Sequence, residues 1–448
     1  MQNSFLFRNF LIIFLFFIWF SLDTYPENLM YFNFSNDNNK EFLAFRFIAP
    51  YIFFLFFLFF LKKIKFNTNH KILNYIIIII FLNFLIQTIS LIVFNKELNN
   101  LNYIFLTIFF FLILINIFNL NFQKELFVIS LFILSIIVLF YGLILLWWIF
   151  FNSSSLNLYG SWPHGLAPLK DLSNFAPRSS GIARSALILV IPIIITLLAQ
   201  NKTTIIFFIF YYFFTLLILL TQSRIVILFL FIIIPLIFFY ILLKKKNLLF
   251  KKIFLILIMP ILIWIGSLSL KEYLQKNIFV GSELIKHKNE QYEKVFRTID
   301  PETFTSSRYQ DWNKIIKSNN NKFIGNGVMG DRLIINQTAS NLFLYNYSSG
   351  GIVSVILFFI VILRAFFICL KILLFEKYPK KKNILVISAC FIQLFLMLRG
   401  LTENSFAVFG IDFLIFFASY FYLEKYYLKN NNINDADFKT LIKNTLGL

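Results

Sequence analysis

Cysteine and histidine are nearly absent from this chain, with two of one and three of the other in 448 residues. Cys369 and Cys390 fall in or beside long apolar runs, so neither a disulfide framework nor a thiolate metal cluster is expected. His70, His164 and His287 form no H-x-x-x-H or H-E-x-x-H spacing, and no paired-carboxylate motif appears, which removes the signature of zinc hydrolysis. No metal and no cofactor are expected. Charge is scarce as well: charged residues make up 14% of the chain, and only 21 are acidic against 41 Lys and Arg, a net +20. With 14 Gly and 10 Pro, the chain has few of the breakers that punctuate loop-rich folds.

Apolar surface fills the space left. The sequence is 59% hydrophobic with 64 Phe, and its mean hydropathy is +0.78. Soluble domains run near 45–50% apolar, so this excess asks for an apolar solvent. A bilayer core of ~30 Å needs about 20 consecutive apolar residues as a helix, and such runs lie near 5–22, 43–61, 72–94, 101–121, 126–151, 181–199, 204–220, 224–243, 248–268, 350–374, 384–400 and 406–423. The fold expected is therefore an all-α polytopic membrane protein of about twelve spans, with residues 1–448 as a single membrane domain. Arg8 precedes the first run and no small-residue cleavage site follows Leu22, so the first run reads as an uncleaved span.

Lysine gives the sidedness. Lys62, Lys63, Lys65 and Lys71 follow the second run, Lys244, Lys245, Lys246, Lys251 and Lys252 the eighth, and Lys377, Lys380, Lys381 and Lys382 the tenth. By the positive-inside tendency these loops and both termini are cytoplasmic. The basic balance thus reads as orientation, and nucleic-acid binding is not expected. Two outer loops, 152–180 and 269–350, are too long to be connections and are the places to seek function. In the larger, Ser307 with Gln310 forms a capping box opening a helix over Arg308 to Lys317, whose Trp312, Ile315 and Ile316 suit an interfacial helix. Gly325-Asn-Gly327-Val-Met-Gly330 fits the dinucleotide pattern but has no preceding strand or downstream acid, so it reads as a flexible turn.

Arginine departs from lysine. Arg46, Arg178, Arg184, Arg224, Arg297, Arg308, Arg332 and Arg399 all fall at or beyond the outer face, and only Arg8 and Arg364 fall inward. Guanidinium forks match phosphate and carboxylate oxygens in pairs. Two readings stay open: the arginines pair with acids such as Glu283, Glu290, Asp300 and Asp311, or they hold a pyrophosphate at the bilayer surface. Glu403, four residues beyond Arg399, is either that arginine's partner or a site residue.

Three stretches then carry a resemblance. Arg178-Ser-Ser-Gly181 enters the sixth span, and Ser223-Arg224-Ile-Val-Ile-Leu228 opens the eighth. The third runs from Arg308 and Trp312 through Gly325 and Gly327 to Ala339-Ser340-Asn341-Leu342 and Gly351. In order and topology they resemble the bacterial O-antigen ligase and polymerase superfamily. The resemblance implies a GT-C-like bundle in the bacterial inner membrane with a large periplasmic loop between spans nine and ten. It implies metal-independent transfer of a glycan from an undecaprenyl (polyprenyl) pyrophosphate donor to an acceptor hydroxyl on a glycan or on lipid A-core. Arg224 and Arg178 are the candidate catalytic clamp on the pyrophosphate, with His287, His164 or Glu403 as the candidate base, and Arg184, Arg308, Arg399, Ser340 and Asn341 are the candidate substrate contacts. Ser340 stands where ligases carry a histidine, and a lost general base is worth roughly 10²–10⁴-fold. That departure favours polymerase, with ligase as the alternative. A flippase for lipid-linked sugars is the rival class; no inverted repeat is seen between the halves, and few charges fall within the spans.

Overall fold

The structure, a computed structural model, describes residues 71–94, 123–151, 179–199, 205–220, 223–244, 250–266, 269, 308–318, 321–328, 330–335, 339, 341–375, 383–403 and 411–429. The apolar runs at 5–22, 43–61 and 101–121, and the loop residues 152–178 and 270–307, lie outside the described residues. The helices are α1 (Lys71–Phe94), α2 (Gln123–Phe151), α3 (Ser179–Ala199), α4 (Ile205–Leu220), α5 (Arg224–Lys244), α6 (Phe250–Leu257), α7 (Arg308–Ser318), α8 (Gly330–Ile335), α9 (Leu342–Phe375), α10 (Ile384–Gly400) and α11 (Ile411–Lys429). No strand occurs among the described residues. Among the described residues, five helices are long and apolar enough to cross a bilayer, within α1, α2, α3, α5 and α9. This is an all-α, multi-pass membrane protein.

Its helices are built inside out. On α1, Ile78, Leu82, Leu85, Ile89 and Ile92 are exposed, whereas Asn83, Gln87 and Ser90 are buried. Lipid is as apolar as leucine, so an outward apolar face costs nothing there, while a polar side chain must find a partner within the bundle. Helix α3 is the central post, with 78% of its apolar window buried, and it packs on α2, α4, α5 and α10. Ring pairs fix the directions of its neighbours. Phe229 meets Phe395 at 5.8 Å and Tyr240 meets Phe391 at 5.7 Å, so α5 runs antiparallel to α10. Phe127 stacks on Tyr422 at 6.0 Å, which brings the start of α2 to the end of α11.

Prolines interrupt the backbone ladder, and side chains repair it. Pro260 has no N–H for the carbonyl of Ile256, and the Tyr211 hydroxyl donates to that carbonyl at 2.6 Å. Tyr212 does the same for Leu255 O at 3.3 Å.

Helix α9 is broken near its start. It begins eight residues before the apolar run expected at 350–374, and it leaves helical geometry at Gly350 (φ −134°, ψ 18°) and Gly351 (φ 63°, ψ −163°). A strap of residues 321–328 closes the gap. Asn326 N donates to Ser348 O at 2.8 Å and Gly327 N to Ser349 O at 2.9 Å, while Ile352 N donates to Lys322 O at 2.9 Å. Ser90 of α1 donates to Ile324 O and ties the strap to the bundle.

The glycine-rich motif therefore serves backbone contact, and its expected looseness is corrected: the turn is docked on both sides. Gly327 (φ +96°) leaves only 2.5 Å between a would-be Cβ and Leu91 Cα. At Gly351 (φ +63°) a Cβ would lie 2.2 Å from Phe323 C and O. The strap's helix also departs from expectation. Helix α7 packs on α8 and α9, and it buries Asp311 and Ile315 while Ile316 is 51% exposed. Its inward side is thus one position off the Trp312–Ile315–Ile316 face.

Gly351→Ala and Gly327→Ala are each expected to destabilise the protein by at least the ~1–3 kcal/mol of a strained non-glycine backbone. Gly181→Ala, where a Cβ meets nothing within 4 Å, should stay within about 1 kcal/mol of the parent. Thermal unfolding of the three variants in detergent checks the contrast.

Candidate functional site

Helix α10 ends on Arg399 and Gly400, and a tight turn follows. The N–H groups of Thr402 and Glu403 both donate to Arg399 O, at 2.9 and 2.8 Å. That turn swings the Glu403 carboxylate back beside the Arg399 guanidinium, which donates to it through Nη2. Through Nη1, Arg399 donates to Asp412 Oδ2 at the head of α11. Arg184, on the first turns of α3, places its Nε 3.0 Å from the other Asp412 oxygen. Arg308, the first residue of α7, reaches Glu403 Oε1 at 3.3 Å and Thr402 O at 3.0 Å.

The result is one alternating chain, Arg184–Asp412–Arg399–Glu403–Arg308, drawn from four helices and a turn. Three guanidiniums against two carboxylates leave a formal +1. Side-chain exposure is lowest in its middle, 2% for Asp412 and 6% for Arg399, and rises outward to 15% for Arg184 on one side and to 19% for Glu403 and 28% for Arg308 on the other. The inner pair is dry and the outer pair is wet. A buried charge is held only by an opposite charge with good hydrogen bonds, so Asp412 and Arg399 are each other's condition for being there.

Glu403 lies beyond the end of α10. Burial pushes its carboxyl up, but Arg399, Arg308 and Arg184 outweigh that and hold it below the usual carboxylate range. An acid held in its ionised form by two guanidiniums is a weak proton acceptor, because base strength follows pKa. The geometry makes Glu403 a clamp on arginines before anything else.

The other expected residues are placed as follows. Asn341 caps α9, with Oδ1 accepting from Phe343 N at 2.8 Å and Leu344 N at 3.2 Å. Its Nδ2 donates to Leu401 O at 2.8 Å, which ties that cap to the turn carrying Glu403. Arg224 is the first residue of α5. It precedes Phe229 by five residues and Arg399 follows Phe395 by four, so at about 1.5 Å per residue the head of α5 stands level with the arginine chain. The Arg224 side chain, and all of Arg178, His287 and Ser340, lie outside the described residues.

Asp412 is the residue that sequence reasoning missed. The signal was present: an acid inside an expected span is a site hypothesis by default.

Lys244 and Lys371 lie at the opposite end. Lys244 Nζ donates to Leu374 O at 2.8 Å, and Lys371 Nζ to the Tyr427 hydroxyl at 2.9 Å. Nearby, Arg364 grips Glu424 through two nitrogens, at 2.6 and 3.3 Å, and staples α9 to α11. Among the described residues no group of three His, Cys, Asp or Glu is placed to hold a metal ion. Compared with protein-family models, curated proteins and solved structures, the chain matches none.

Arg399→Met should cost about 3–5 kcal/mol, because it strands a buried carboxylate; Arg308→Ala, at the wet end, should cost about 1 kcal/mol or less. Chemical denaturation in detergent separates the two. The lowered pKa of Glu403 fixes a second outcome. Its stabilising share is complete above the ordinary value of about 4.3 and is lost as pH falls through the lower folded value. Melting temperature against pH should show that acid limb in the parent and a shallower one in Glu403→Gln.

Proposed function

We propose that this protein is a metal-independent glycosyltransferase of the bacterial inner membrane. It moves a glycan from an undecaprenyl pyrophosphate donor to an acceptor hydroxyl, with polymerisation of a surface polysaccharide favoured over ligation to lipid A-core. In this reading the chain is a GT-C-like bundle of about twelve spans with both termini cytoplasmic, and its arginine end faces the periplasm. The observation that carries it is the Arg184–Asp412–Arg399–Glu403–Arg308 chain, net positive and at the end of the bundle opposite Lys244 and Lys371.

Transfer breaks the bond between the anomeric carbon and the pyrophosphate oxygen. The electron pair leaves with the pyrophosphate, and the acceptor oxygen forms the new bond. Donors held in place before the reaction, aimed at that growing negative charge, are the largest catalytic term in many enzymes. Asp412 and Glu403 hold the guanidiniums in position; Arg184 and Arg308, the outer members, meet the phosphate. Arg224 and Arg178, at the heads of α5 and α3, complete the clamp, and both helices turn their positive dipole ends to the same side. In this reading Ser340 and Asn341 contact the substrate. The acceptor proton goes to His287, since Glu403 is held too acidic to take it.

A flippase for the same lipid-linked sugar is the second reading, and one observation favours it. Helix α9 is broken at Gly350–Gly351 beside buried polar side chains, and interrupted helices of that kind occur in transporters. The strap fills the break, which favours a fixed scaffold over a moving one.

Purified protein in nanodiscs, given a polyprenyl-pyrophosphate glycan and acceptor, should form product. Arg184→Ala and Arg224→Ala should each lose roughly 10²–10³-fold with helical content unchanged; full activity in both variants would overturn the clamp. Surface polysaccharide from a strain lacking the gene separates the classes. Core capped by single repeats means polymerase, polymer stranded on its lipid at the outer face means ligase, and repeat units held on the cytoplasmic side mean flippase.

A further inference from the structure

A second cluster lies in the cleft between α9 and α11, at the end that holds Lys244 and Lys371, and the arginine chain makes no use of it. Arg364 Cζ lies 6.0 Å from the centre of the Phe367 ring and 5.7 Å from that of Tyr427. Lys371 Nζ lies 4.8 and 5.4 Å from the same two rings. Two cations seven residues apart on one side of α9 thus converge on one pair of rings, whose negative faces attract them. With Glu424, whose side chain is 0% exposed, the cluster sets two cations against one anion.

Glu424 is already engaged. Its Oε1 accepts from Arg364 Nη2 at 2.6 Å, and its Oε2 accepts from Arg364 Nε at 3.3 Å and from the Tyr420 hydroxyl at 3.2 Å. Arg364 spends two of its three nitrogens there, and Nη1 has no acceptor among the described residues. The Tyr427 hydroxyl accepts from Lys371 Nζ at 2.9 Å. That bond uses an oxygen lone pair and leaves the phenol hydrogen to be given; it too has no acceptor among the described residues. Arg364 and Lys371 flank the lipid-facing side of α9, where Phe366, Phe367, Leu370 and Leu374 are exposed and the Arg364 side chain is itself 21% exposed. Hydrogen-bond donors beside such a face need a partner that the described residues do not supply.

We propose that this cleft binds the headgroup of an anionic phospholipid in the leaflet at that end, through Arg364 Nη1, Lys371 Nζ and the Tyr427 hydroxyl. Charged donors make their strongest hydrogen bonds to phosphate oxygens, and basic pockets between membrane helices hold such headgroups. Glu424 and the two rings fix the cations from the protein side, so the donors are in place before the lipid arrives. The apolar stripe supplies the rest of the match. Lys371 stands four residues before the end of α9, about 6 Å of helix, and the exposed Phe and Leu side chains offer a bed for acyl chains. A free anion would have to leave water to reach donors beside that stripe, whereas a phospholipid carries its phosphate at the head of its own chains. Water at the interface is the competing partner.

Thermal unfolding of the full chain in detergent decides between them, with phosphatidylglycerol added in one series and phosphatidylcholine of the same acyl chains in another. A ligand of the folded state alone raises stability with the logarithm of its free concentration. A saturable rise in melting temperature with phosphatidylglycerol, absent with phosphatidylcholine and with inorganic phosphate, is the expected result. Lys371→Gln should weaken the apparent affinity about fivefold, the share of one basic residue at an anionic surface. Tyr427→Phe keeps the ring and loses only the hydroxyl, and should weaken it roughly two- to tenfold. Lys381→Gln removes the same charge from the basic segment that follows α9 in sequence and should leave the affinity unchanged. Equal melting in the two lipids would leave water as the partner and overturn the proposal. So would a rise reproduced by inorganic phosphate, a lipid effect undiminished in both site variants, or a loss in Lys381→Gln equal to that in Lys371→Gln, the mark of diffuse attraction. If Lys371→Gln does not fold, Tyr427→Phe still decides. Stability is the readout, so the outcome is independent of the glycosyl-transfer reading.

Discussion

No backbone polar group may go unmet in hydrocarbon, and the rest of this structure follows from that constraint. Straight apolar helices satisfy it without assistance. Two departures from them are answered by specific partners: Tyr211 for the carbonyl opposite Pro260, and the strap for the interrupted ladder at Gly350–Gly351. The strap's glycines belong to the same account. Two backbones can trade hydrogen bonds only where no Cβ keeps them apart, which is why Gly327 sits on Leu91 and Gly351 on Phe323.

Charge obeys the same rule at higher stakes. The arginines at one end do not stand alone. Asp412 and Glu403 alternate with them, so desolvation at the inner end is offset by tight ion pairing while the outer end stays wet. Holding guanidiniums rigid and near neutral balance suits a site that must meet an anion repeatedly without rearranging, since a fixed donor does not have to reorganise when charge appears. At the far end, Arg364 and Glu424 use the same pairing to staple two helices.

Much of this was legible in the residues. Helices lie over the apolar runs near 72–94, 181–199 and 224–243 because an apolar run in lipid has one backbone solution. The contact of Arg399 with Glu403 was visible at a spacing of four. What escaped depended on tertiary partners. Leu342–Gly350 contains Asn346, Ser348 and Ser349, so it reads as loop; it is helix, with Asn346 and Ser348 bonding back to Leu342 O and Tyr345 O and the strap meeting the carbonyls of Ser348 and Ser349. Asp412 reads as an interruption of a span, and only the fold shows two arginines sharing it. The glycine pattern announced close approach without saying to what, and the strap supplied the answer.

The strap also imposes an order on assembly. It joins residues far apart in sequence: Ser90 reaches Ile324 across 234 positions and Gln87 reaches Ser354 across 267. During synthesis α1 is made before the strap segment, with α2 to α7 between them, and both are made before α9 exists. When α9 arrives, its broken turn finds both halves of its docking surface already in the membrane. The break thus closes only after both of its partners have been made, and a chain stalled before residue 342 would hold the strap with its donors and acceptors still turned to water.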